Sequence, residues 1–151
     1  MKYLIIGILL AMLLFGCTQP TPPGDSPPHS DNPFEKLSDT SCSEYGKPII
    51  RYFSTTWCPH CQYINPVFNE VMEEYGDKII VFHYEIDITT PSEPEMAEFT
   101  KFSPNQNIPA FSFGCQYYRI GNSYEATRDT NSEKQEFRRV INLLLAESAV
   151  Q

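Results

Sequence analysis

Residues 54–68 read STTWCPHCQYINPVF, in which two cysteines, Cys58 and Cys61, flank Pro59 and His60. A pair so spaced can clip a metal, staple a loop, or open and close as a redox couple. The residues after it decide where the sulfurs sit. Ile64, Val67, Phe68, Val71, Met72 and Tyr75 recur at helical spacing and form one apolar stripe. Cys61 lies three residues before Ile64 and continues that stripe, so its sulfur is expected to be buried. Cys58 falls at the start of the helix, on its open first turn, where its sulfur is expected to be accessible. There it meets unpaired N–H groups and the positive end of the helix dipole, both of which favour a thiolate. Cysteines in such positions have their pKa lowered from about 8.5 to roughly 3.5–7.5. The arrangement suits a nucleophile, Cys58, backed by a resolving thiol, Cys61.

The other readings stay open at this point. A static disulfide would use the same pair. A structural zinc site normally takes four Cys or His ligands, often as a second pair at recognisable spacing, and the sequence offers no such second pair. His60 either acts on Cys58 through its dipole and partial charge or is a solvent-exposed turn residue.

Upstream, Lys47–Thr55 (KPIIRYFST) is β-branched and aromatic and reads as a buried strand. Downstream, Lys78–Ile88 (KIIVFHYEIDI) reads as a second strand, and SEPEMAEFTKF from Ser92 as a helix with capping-box spacing from Ser92 to Glu95. PAFSFG and QYYRI read as two strands meeting at a tight turn near Gly114 and Cys115, and a last helix from about Ser132 carries Phe137, Val140, Ile141, Leu144 and Leu145 on one face. Tyr117 and Tyr118 are expected to be strand packing rather than a ligand box. In NPFEKL, Asn32 as cap, Pro33 and Glu35 predict a short helix.

The N-terminus carries a different message. Lys2 precedes Leu4–Gly16 (LIIGILLAMLLFG), thirteen apolar residues that end directly at Cys17. A helix needs about 20 apolar residues to span a bilayer comfortably, so residues 1–16 suit an export signal. LFGC resembles a lipobox, with Cys17 lipidated as the mature N-terminus, although Phe15 is bulkier than that pattern prefers; an uncleaved signal anchor is the alternative. Both readings place the protein outside the cytoplasm, held to a membrane. Residues 18–33 contain six prolines and almost no hydrophobic side chains, so 17–33 reads as a tether and 34–151 as one domain. A formal net charge of −8 argues against nucleic acid as a partner.

WCPHCQYINPVF, the β-α-β-α-β-β-α order and NIPAF together resemble the thioredoxin fold, from about Pro48 to Ala146. The resemblance implies an α/β domain, a central mixed β-sheet flanked by helices, with the CxxC at the N-terminus of a helix. It places Pro66 at the family's helix-kinking proline and Ile108-Pro109 at its cis-proline loop, which faces the active site and holds an extended substrate segment; an ordinary trans proline is the alternative. Trp57 belongs to the same motif. The Pro59-His60 dipeptide is that of DsbA-like oxidants, but the 48 positions from Cys61 to Pro109 leave no room for their inserted helical domain. The family's buried carboxylate falls on Tyr52, so proton transfer to Cys61 must use another group or water. His83, or Glu85 beside it, falls near a position that is often basic in the family and either assists that transfer or is a structural strand residue.

The resemblance implies an extracytoplasmic thiol-disulfide oxidoreductase working through Cys58-Cys61 on protein thiols and disulfides. It would need a redox partner protein but no cofactor or metal, and the oxidising direction is expected. A disulfide reductase is the alternative within the class; a soft-metal-binding or chaperone module using Cys58, His60 and Cys61 is the alternative outside it. Of five cysteines, lipidation would set Cys17 apart, and with Cys58 and Cys61 as the redox pair the remaining Cys42 and Cys115 are expected to form a structural disulfide or else to be two buried free thiols.

Overall fold

The computed structural model describes residues 32–148. The expected export signal at residues 1–16, Cys17 and all but the last two residues of the expected tether lie outside them, as do residues 149–151. Among the described residues no helix is long and apolar enough to cross a membrane.

Among the described residues six strands and three helices follow in order: β1 (Glu35–Lys36), β2 (Ser43–Glu44), β3 (Lys47–Ser54), α1 (Pro59–Tyr75), β4 (Ile80–Glu85), α2 (Glu93–Phe102), β5 (Ala110–Phe113), β6 (Tyr117–Ile120) and α3 (Thr130–Ser148). β3 is the centre of the sheet. It pairs in parallel with β4, from Ile49↔Ile80 to Ser54↔Glu85, and antiparallel with β5, from Ile50↔Phe113 to Phe53↔Ala110. β6 and then β1 extend the sheet antiparallel beyond β5, and β2 forms a short hairpin with the start of β3. The sheet is therefore mixed.

Because side chains alternate along a strand, each strand serves two cores. Ile50 and Tyr52 of β3 join Phe111 and Phe113 of β5, Ile64, Phe68 and Val71 of α1, and Phe137, Val140 and Ile141 of α3 in the larger cluster. Phe53 points the other way, into a smaller cluster with Tyr84, Phe99 and Ala110 beneath α2. The result is a three-layer sandwich, two helices on one face and one on the other. At the turn from β5 to β6, Gly114 has φ +61, and a Cβ there would lie 2.6 Å from the Leu144 methyl, so any side chain would strain the backbone and displace Leu144.

The segment expected to form a helix at Asn32 instead supplies β1. Glu35 and Lys36 lie opposite Tyr118 and Tyr117, and the Leu37 N–H donates to Gln116 O. Phe34 packs its ring 4.7 Å from that of Phe113, and its N–H donates to Glu136 Oε1. A six-residue helix is marginal on its own, whereas the open edge of β6 offers both hydrogen bonds and a pocket for Phe34. The second strand is shorter than the run Lys78–Ile88, because Gly76–Lys78 forms a 3₁₀ turn and the chain leaves the sheet after Glu85.

Candidate active site

The C-terminal end of β3 turns directly into α1, and Cys58 is the cap of that helix. Its backbone is extended (φ −75°, ψ 118°), Pro59 follows in the first turn, and the Cys61 N–H donates to Cys58 Sγ at 3.3 Å. Proline suits this position because its missing N–H has no partner to lose there. Cys61 is fully buried. Cys58 is buried as well, at 4% exposure, which corrects the expectation of an accessible sulfur: its side chain folds back over the first turn to receive the helix N–H, while Trp57 beside it is 69% exposed. The loop before it is pinned by Thr56, whose N–H and hydroxyl both donate to Asp87.

Burial, followed by the adjoining Cys58 thiol, pushes the Cys61 thiol up to about 12. Tyr52, at the position of the family's buried carboxylate, is fully buried beneath it. Its hydroxyl donates to Asn65 Oδ1 at 2.5 Å and adjoins the Cys61 sulfur. Burial and the neighbouring Cys61 hold that phenol above its ordinary range, so it remains a neutral O–H. His83 stacks on the Tyr52 ring at 4.3 Å and places Nε2 2.7 Å from Ser54 Oγ. Burial lowers its pKa, which favours the neutral ring. His83 thus supports the ring of Tyr52, whose hydroxyl adjoins Cys61 along with the Cys58 thiol and the Thr55 backbone.

His60 is 63% exposed and has a partner from the far end of the chain. Its Nδ1 lies 2.9 and 2.8 Å from the two carboxylate oxygens of Glu125. Asn122 Nδ2 donates both to His60 O, at 2.9 Å, and to Glu125 Oε2, at 2.8 Å. Partial burial opposes ionisation of Glu125, but the Asn122 amide and the His60 ring outweigh it and hold the carboxyl below its usual range.

The loop that carries Asn122 and Glu125 is anchored from below. Glu133 of α3, fully buried, accepts the N–H groups of Ser123 and Tyr124, both at 2.7 Å. Its other oxygen pairs with Arg119 at 3.1 Å, and the Arg119 guanidinium lies among the rings of Phe34, Phe111 and Phe137. The peptide bond between Ile108 and Pro109 is cis, and the Pro109 carbonyl accepts the Gly121 N–H at 2.7 Å. Cys42 and Cys115 are joined by a disulfide at the opposite end of β3, with Cα atoms 5.3 Å apart. Among the described residues no group of three or more His, Cys, Asp or Glu is placed to hold a metal ion.

Glu125, Asn122, Asn65 and Glu133 were not singled out in the sequence. Asn122 and Glu125 sit in an aperiodic polar stretch, and only the return of β6 beside β5 brings that stretch over the start of α1.

A buried thiol behind a helix-capping thiol on this sheet is the arrangement of a thiol-disulfide oxidoreductase. The thioredoxin family pattern matches residues 33–136, and the chain belongs to that family. It is 26% identical over 121 residues to thioredoxin H2-2 of Oryza sativa subsp. japonica, covering 80% of each chain. Over 68 residues it is 32% identical to a thioredoxin of Acidithiobacillus ferridurans, covering 45% of this chain and 59% of that one. Over 60 residues it is 40% identical to a thioredoxin of Coprinus comatus, covering 40% of this chain and 51% of that one. The chain therefore spans little more than half the length of these last two relatives.

Proposed function

We propose that the protein exchanges disulfides with protein thiols through Cys58-Cys61, in the oxidising direction, while held to a membrane outside the cytoplasm. The observation that carries the exchange chemistry is Cys58 capping α1 with its sulfur on the Cys61 N–H, over a buried second thiol. In the oxidising direction a substrate thiolate attacks Cys58 Sγ of the closed pair. The Cys58–Cys61 bond breaks, and its electrons leave on Cys61. A second substrate thiol then attacks the substrate's sulfur in the mixed disulfide and displaces Cys58. Cys61, raised by burial, takes up a proton from solvent as it leaves, beside the Tyr52 hydroxyl, which stays a neutral O–H. In the reverse direction Cys58 attacks and Cys61 resolves.

His60 between the cysteines supports the oxidising direction, because positive charge near Cys58 stabilises the reduced form and makes the disulfide a stronger oxidant. The export-type run Leu4–Gly16 and Cys17 support the location, and a Cys42–Cys115 bridge suits an oxidising compartment. The Pro109 carbonyl is already engaged by Gly121, so a docked substrate strand would draw its backbone hydrogen bonds from Ile108. One observation favours the reductase reading: the Glu125 carboxylate sits on His60 and offsets the charge that would favour the thiolate.

Equilibration of Cys58-Cys61 with glutathione decides between them. A potential well above about −270 mV, the thioredoxin value, is expected. A value at or below it assigns the protein to reduction.

A further inference from the structure

The Cys42–Cys115 bridge has the surroundings of an exchangeable disulfide rather than of a core staple. Both cysteines are partly exposed and border a cavity of about 380 Å³ whose walls also include Thr40, Glu98, Lys101 and Tyr118. The two sulfurs are not equivalent. Arg51 places Nη1 3.3 Å from Cys115 Sγ, and the same guanidinium is fixed from behind by Glu98 at 2.7 Å. A second hydrogen bond, from Ser112 Oγ, holds Glu98. A guanidinium beside one sulfur stabilises that sulfur as an anion and makes it the better leaving group.

The backbone around the bridge does not depend on it. Cys42 N–H donates to Gly114 O at 2.8 Å, and Cys42 O accepts from Ile49 N–H at 3.1 Å. These bonds tie Cys42 to the β5–β6 turn and to β3, so opening the sulfur bond leaves the segment in place.

We propose that Cys42 is a thiol-modification site for a small peptide thiol, with Cys115 as the leaving sulfur and Arg51 as the residue that stabilises it. The cavity falls within the range of about 300–1,000 Å³ typical of small-molecule sites, and the Lys101 ammonium on its wall suits a carboxylate of the incoming peptide. The peptide thiolate attacks Cys42 Sγ and forms a mixed disulfide there. The Cys42–Cys115 bond breaks, and its electron pair leaves on Cys115 Sγ as a thiolate beside Arg51. A second molecule of the peptide thiol attacks the peptide sulfur of the mixed disulfide and releases Cys42 as a thiol. The peptide dimerises as its own disulfide, and two electrons pass to the protein.

The test treats the oxidised full chain with glutathione in native buffer, quenches with acid, alkylates, and maps each cysteine by peptide mass spectrometry while far-UV circular dichroism follows the fold. The expected product carries glutathione on Cys42 and alkylating label on Cys115, with the spectrum unchanged. Arg51→Met should slow its formation about tenfold, the loss of one charge-assisted hydrogen bond to the leaving sulfur. Glutathione on Cys115 with Cys42 free overturns the proposal. So does a bridge that opens only when the fold is lost, or an Arg51→Met rate equal to wild type. The reading at Cys42 and Cys115 is taken on peptides separate from Cys58 and Cys61, so it stands or falls independently of the exchange chemistry at the helix cap.

Discussion

His60, between the two cysteines, is held by Glu125, a residue 65 positions further along the chain: both carboxylate oxygens lie within 2.9 Å of Nδ1. The side chain that this motif would lend to Cys58 as a positive charge therefore comes with a counter-charge, fixed in turn by Asn122. Any influence of the imidazole on Cys58 is therefore offset by the carboxylate that holds it.

Replacing Glu125 with glutamine should make the Cys58-Cys61 disulfide more oxidising, by on the order of 30 mV, or about 1.4 kcal/mol. An unchanged or lower potential in Glu125→Gln would show that the carboxylate does not act on the sulfur through His60. The same contact has a pH signature in stability. The folded-state carboxyl lies below its ordinary value, so its contribution is present above the unfolded pKa and lost as pH falls through the folded one. The stability of wild type and Glu125→Gln should converge only as pH falls below the ordinary carboxyl range of about 4.3 and on through the folded value.

The resolving thiol gives the opposite slope. Cys61 is raised to about 12 by burial and by Cys58. Reduced protein therefore keeps its full stability below the ordinary thiol pKa and loses it as pH rises toward the folded value, because the unfolded chain releases the proton first. Urea titrations of the reduced protein between about pH 8 and 10 should show stability falling more steeply in wild type than in Cys61→Ala. Parallel curves would place Cys61 in a wetter site than the structure gives it.

Tyr52→Phe removes the hydroxyl shared by Asn65 and Cys61. Stability should fall by about 1–2 kcal/mol, since Asn65 loses a buried partner. The more telling readout is kinetic: decay of a preformed Cys58 mixed disulfide, which needs Cys61 to lose its proton, should slow while formation of that mixed disulfide does not. His83→Ala, which removes the ring stacked on Tyr52 and the nitrogen beside Ser54 Oγ but keeps the Tyr52 hydroxyl, should leave the decay within about twofold of wild type. If the two variants slow decay equally, the hydroxyl has no part of its own.

Glu133→Ala leaves the buried Arg119 without this carboxylate and removes the acceptor shared by the N–H groups of Ser123 and Tyr124. A loss of about 3–5 kcal/mol is expected in chemical denaturation. Backbone amide exchange in residues 121–125 should accelerate more than in β3, because the loop loses its anchor and the central strand does not. Uniform acceleration would mean that the pair serves global stability alone.

The sequence was legible where one physical signal dominated. The stripe from Ile64 to Met72 located α1, and the capping box at Ser92 located α2, because helical periodicity and end chemistry are local. The burial of Cys61 followed from the same stripe. Phe34 was misread because a cap, a proline and a glutamate spell a helix start, while the edge of β6 that claims the segment lies more than eighty residues away. The depth of Cys58 was misread for a related reason: an open first turn exposes N–H groups, but the side chain that caps them folds back out of the solvent. Glu125 and Asn122 carried no signal at all, since an irregular polar stretch looks the same whether it faces water or a histidine.

Asn32, the first described residue, joins the fold at the rim of the thiol site. Its side chain donates to Ile120 O at 2.6 Å, and its carbonyl accepts from the Ser123 hydroxyl at 2.5 Å, beside the loop that grips His60. Whatever precedes residue 32 is thus attached at the reactive pole and not at the pole of the Cys42–Cys115 bridge. A load on that attachment is borne by Ile120 and Ser123, neighbours of Asn122.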